Sequence, residues 1–168
     1  MSEWLTSLST DYANQIEMSL RLCAATIAGM AVGINRDIHD KPIGMRTLGL
    51  VSLGSAIVIL AGSVYEGTHF GQDAVSRVIQ GIMTGLGFLG AGAVLRAPHK
   101  MEVHGLTTAA TVWIAAGLGV AAGLGAWFIT IAGTVVTLLV LTLGKSLEDM
   151  LTRLFSSGAK PGGDDQKR

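Results

Sequence analysis

The chain has 168 residues, of which 49% are hydrophobic and 14% charged, and its formal net charge is zero. That length allows one domain, the charge is too sparse to cover a soluble one, and the neutral balance supplies no basic field for nucleic acid. The lone Cys23 excludes an internal disulfide and a cysteine-based metal site, and reads as a buried, inert thiol.

The apolar residues are gathered into five runs, each close to the roughly 20 residues that cross a bilayer. Met1 to Glu17 carry Glu3, Asp11 and Glu17 and have no basic start, so no cleaved signal peptide is expected. Residues 1–15 are read as an extracytoplasmic segment and 16–143 as an all-α membrane domain. Its spans are Ile16–Ile34, Thr47–Val64, Ala74–Leu95, Leu106–Leu124 and Ala126–Leu143. The first three connections hold charges and helix breakers. The fourth is only "GLGA" (123–126), which predicts a tight hairpin. One continuous helix from Leu106 to Leu143 is the competing reading, opposed by the glycines at 117, 119, 123 and 125. Residues 144–168 are expected to form a short tail, amphiphilic at first and largely disordered.

Positive charge alternates along these elements. Arg36, Lys41 and Arg46 lie in or beside the first connection, Arg96 and Lys100 in the third, and Lys145, Arg153, Lys160, Lys167 and Arg168 in the tail. The positive-inside rule then places the N-terminus outside and the C-terminus in the cytoplasm, with five spans.

Glycine is abundant, at 23 residues. Gly29 and Gly33, Gly81 and Gly85, and Gly119 and Gly123 form small-xxx-small pairs, and Gly87, Gly90 and Gly92 continue the third span. Such spacing suits close helix packing or homo-oligomerisation. A helix broken at the third-span glycines, with carbonyls turned to an ion, is the alternative.

Ionisable groups in a bilayer are costly and therefore functional candidates. Glu17 and Arg21 stand one turn apart near the outer end of the first span. They either neutralise each other at the interface or tie that span to a neighbour. At the other end Asn35, Arg36, Asp37, Asp40, Lys41 and Arg46 gather with Arg96, His99, Lys100 and His104. An Arg36–Asp37 ion pair is expected there, and some of the cations suit anionic headgroups. Thr107, Thr108 and Thr111 open the fourth span, where they cap amides or bond across helices. With Gln80, Thr84 and Trp113 they could line a polar cavity, and the depth of Trp113 suggests an indole turned into the bundle.

Two stretches, "GINRDIHDKPIGMRTLGLVSLGSA" (33–56) and "GLGFLGAGAVLR" (85–96) followed by "HGLTTAATVWIAAGLGVAAG" (104–123), resemble the MgtC/SapB membrane domain over about residues 20–125. Asn35 stands where that family's pattern has an acid before the arginine, and the tail is too short for the ACT-like domain of longer members. The resemblance implies an inner-membrane protein of bacteria, tied to magnesium homeostasis and to low-magnesium and acid stress. It implies a modulator of other membrane complexes, the F-type ATP synthase among them. The residues themselves offer no paired-acid, HExxH or Ser/His constellation and no nucleotide-binding loop, so no enzymatic activity and no cofactor are expected.

Direct magnesium transport is the alternative. A magnesium path asks for converging carboxylates, and the spans offer only Glu17 and Asp37, each beside an arginine.

Overall fold

Inside a bilayer no water satisfies a free backbone group, so an apolar run of this length closes its own hydrogen bonds as a helix. The computed structural model describes residues 2–65, 72–96 and 103–156. Five helices carry these segments: α1 (Ser2–Ile38), α2 (Met45–Tyr65), α3 (Gln72–Ala93), α4 (Leu106–Gly123) and α5 (Trp127–Ser156). Each holds a stretch long and apolar enough to span a membrane.

The helices form an inner trio and an outer pair. The most hydrophobic part of α4 is 56% buried, against 6% for those of α3 and α5, so α4 is the central element. It packs with α1 and α2 around Ala25, Ala28, Val32, Leu48, Ala56, Val112, Ala115, Ala116 and Ala122. The core is rich in alanine because only small side chains let helix backbones approach. The outer helices turn Phe88, Phe128, Ile131, Val135 and Leu139 outward.

Glycine fixes the closest contacts of the trio. A Cβ on Gly29 would lie 2.5 Å from the Leu48 carbonyl oxygen, and one on Gly33 would overlap the backbone of Met45. On α4, a Cβ at Gly119 would overlap the Ser52 carbonyl, and one at Gly123 would press on Ala56 and Ile59 at 3.1 Å. Ser52 is thus the junction of three helices, and its hydroxyl donates to the Ala25 carbonyl oxygen at 2.6 Å.

The third-span glycines behave differently. A Cβ at Gly81, Gly85, Gly87 or Gly92 would meet nothing within 4 Å, and one at Gly90 would make only an ordinary contact with Ala109. Close packing there is not found among the described residues, because α3 lies on the outside of the bundle. The helix also runs unbroken through all five glycines. Cys23 is exposed rather than buried, since its face of α1 points away from the trio.

The α4–α5 hairpin is as tight as the sequence predicts. Gly125 adopts a left-handed φ of 74°, with its amide donating to the Ala122 carbonyl and the Ala126 amide donating to Ala121. This is the glycine-dependent Schellman ending of a helix. The α3–α4 connection contains a two-residue antiparallel ribbon, Leu95–Arg96 against Val103–His104, which the all-α reading did not include.

Two boundaries move. α1 begins at Ser2, so most of residues 1–15 is helical, and α5 continues to Ser156, so the amphiphilic start of the tail extends the fifth helix. Residues 157–168 lie outside the described part.

Candidate functional site

Two polar clusters stand at opposite ends of the inner trio. The first is built on the last turn of α1, where successive side chains diverge by about 100° and neighbours do not face each other. Arg36 therefore points into the bundle, where it is only 5% exposed, while Asp37 points outward. The expected Arg36–Asp37 ion pair does not form, because each residue finds a different helix.

Asp37 closes the start of α2. Its Oδ2 accepts the Met45 amide at 2.9 Å, and its carboxylate fills the space a side chain on Gly44 would need. A carboxylate at a helix N-terminus satisfies a free amide and complements the dipole. Arg36 reaches instead to α4, where its Nη2 donates to the Thr108 Oγ1 at 2.5 Å. Thr108 is itself buried, and its carbonyl oxygen accepts the Thr111 hydroxyl at 2.7 Å. The Nε of Arg36 is buried without a partner. Asn35 is half-buried on the same turn, and its carbonyl is 2.7 Å from Nδ1 of His39.

Several of the remaining residues expected at this end do not join the cluster. Arg46 and Thr107 are exposed. Trp113 is 53% exposed and faces outward, as do Gln80 and Thr84, so the proposed polar cavity is not formed. In a bilayer an indole at that depth packs against lipid tails as readily as against helices. Arg96 and His104 belong to the ribbon, and His99 and Lys100 lie outside the described residues.

The second cluster is a clamp. Arg21 Nη2 pairs with Oε1 of Glu17 one turn earlier, and Nη1 donates to the Gly123 carbonyl oxygen at 3.2 Å. Gly125 closes over the guanidinium: a Cβ there would be 2.8 Å from Nη2. Arg21 is thus paired within α1 and also ties α1 to the α4–α5 turn. Sequence reasoning used Gly125 only as a glycine opposing a continuous helix and did not single out Ser52. The left-handed turn residue in "GLGA" was the available signal for the first, and a lone serine in an apolar run for the second. Among the described residues no group of three or more histidine, cysteine or acidic side chains is arranged to hold a metal ion.

The comparisons with known proteins bear on the whole helical domain. The MgtC family model matches residues 22–150. SrpB of Synechococcus elongatus is 43% identical over 139 residues, covering 78% of this chain and 76% of that protein. YhiD of Escherichia coli, provisionally named a magnesium transporter, is 38% identical over 130 residues, or 74% of this chain and 59% of its own length. MgtC of Salmonella typhimurium is 39% identical over 119 residues, or 71% of this chain and 48% of its own. The chain thus spans about half the length of MgtC and three fifths of YhiD. No solved structure matches. With a family model spanning every helix but the start of α1 and the end of α5, and relatives near 40% identity, this chain belongs to the MgtC family.

Proposed function

We propose that this chain is a non-enzymatic regulatory protein of the bacterial inner membrane that serves magnesium homeostasis and low-magnesium and acid adaptation by binding other membrane complexes. In this reading the N-terminus is outside, and the Arg36–Asp37 end of the trio faces the cytoplasm.

One observation carries the choice of regulator over carrier. Both acids of the membrane domain singled out from sequence, though exposed, already have partners in the chain, Glu17 in Arg21 and Asp37 in the Met45 amide. A magnesium path needs carboxylates turned toward a hydrated ion. The outer faces of α3 and α5, by contrast, offer long apolar surfaces to lipid or to the spans of another protein, and the family resemblance makes the F-type ATP synthase a candidate. The name of YhiD favours the second reading, a small magnesium transporter.

The deciding measurement is magnesium flux into liposomes holding the purified, folded protein, beside an Asp37→Asn variant and empty vesicles. Flux equal to empty vesicles is expected. Flux well above them and lost in the variant would establish the transporter instead.

A further inference from the structure

Arg36 is buried with more donors than partners. A guanidinium carries five N–H groups; this one makes a hydrogen bond to Thr108, and its Nε makes none. Among the described residues no carboxylate lies within ion-pair distance of it, because the adjacent acid, Asp37, is turned to Met45. An uncompensated buried cation is costly and persists only where something else offsets it.

What Arg36 touches is the first turn of α4. That helix starts at Leu106 after Gly105, which caps it with no side chain. Gly105 has to be glycine: its φ is 94°, and a Cβ would overlap the Ala93 carbonyl oxygen. The first intrahelical bond of the turn runs from the Ala109 amide to the Gly105 carbonyl. The amides before it have no partner within the helix and carry the positive end of its dipole. The start of α2 is already neutralised by Asp37, whereas the start of α4 has a buried guanidinium beside it and, among the described residues, no acid. Thr107 is exposed and Gly105 half-buried, so one side of the turn is accessible, and the buried Arg36 meets the turn at the Thr108 hydroxyl.

We propose that the Arg36 guanidinium and the first-turn amides of α4 form a binding site for a phosphate-type oxyanion, carried by an anionic phospholipid headgroup or by a free phosphate ion. A phosphate presents several acceptor oxygens, which suits a planar guanidinium fork on one side and a helix N-terminus on the other. The anion supplies the counter-charge that is absent among the described residues. The site stands whether the chain regulates or transports.

The test uses the full chain. In one arm, protein extracted from mixed phosphatidylcholine and phosphatidylglycerol vesicles is examined by native mass spectrometry for retained lipid. In the other, the thermal midpoint in phosphatidylcholine nanodiscs is followed against inorganic phosphate, with chloride at matched ionic strength. Selective retention of phosphatidylglycerol assigns the site to lipid, and a phosphate-specific rise in the midpoint assigns it to the free ion. Arg36→Lys keeps the charge but loses the fork, and is expected to weaken binding about tenfold or more. Arg21→Lys, at the opposite end, leaves binding unchanged. Asp37→Asn keeps the cap while removing a negative charge one residue from Arg36, and tightens binding about threefold. No response of the native chain in either arm overturns the proposal, and so does equal weakening in the Arg36 and Arg21 variants.

Discussion

Arg36 and Thr108 are 72 residues apart in the sequence and 2.5 Å apart in the bundle. The contact joins the end of α1 to the start of α4 and is the one side-chain hydrogen bond among the described residues that links two buried polar side chains on different helices.

Removing its acceptor exposes what it contributes. Thr108→Val keeps the shape of the side chain and leaves Nη2 of Arg36 without its partner, which costs about 1–3 kcal/mol. The neighbouring Thr107→Val, on an exposed residue, stays within about 0.5 kcal/mol. Denaturant unfolding of both variants in the same detergent checks the difference.

The glycines divide into two classes that alanine separates. Gly119→Ala drives a methyl group into the Ser52 carbonyl and is expected to destabilise by about 1–3 kcal/mol. Gly85→Ala enters open space and gains helix propensity, stabilising by up to about 1 kcal/mol. If Gly85→Ala instead abolishes a membrane-dependent association while the purified protein stays folded, the α3 face is an interface with another chain.

The Arg21 clamp depends on the left-handed glycine beneath it. Gly125→Ala costs about 1–2 kcal/mol in backbone strain alone, and its Cβ also displaces the guanidinium. The loss is therefore smaller in an Arg21→Ala background. A double-mutant cycle reads this as a coupling of about 0.5 kcal/mol or more, and strict additivity would show that the turn and the arginine act separately.

The proposed orientation is open to labelling. In a Cys23→Ser background, Leu124→Cys reacts with a membrane-impermeant maleimide on intact spheroplasts, and His39→Cys reacts only after permeabilisation. The reverse pattern would invert the topology.

The five spans were legible because each is a long apolar run, and chemistry in a bilayer leaves such a run little choice but a helix. The start of α1 was not, since Ser2 to Gln15 mixes polar and apolar residues and lacks the run that marks a span. Burial was harder to read than span. Trp113 was read as interior from its depth in the span and Cys23 from its residue type, but in a bundle surrounded by lipid an apolar face has no preference for the inside. Arg36, Asp37 and Thr108 were all recognisable as candidates. Their pairing was not, because the divergence of Arg36 from Asp37 and its approach to α4 are set by helix phase and by the close contacts at Gly29, Gly33 and Gly119.

The order in which the inner trio is synthesised has its own consequence. α1 and α2 leave the ribosome first and pack through Gly29, Gly33 and Ser52, but α4 arrives only after α3 has been inserted. During that interval Arg36 has no threonine to bond, and the surface of Ser52 that receives Gly119 faces lipid. The nascent α1–α2 hairpin is thus an unfinished template with a cation at one edge, and the fourth span brings the partners of both Arg36 and Ser52.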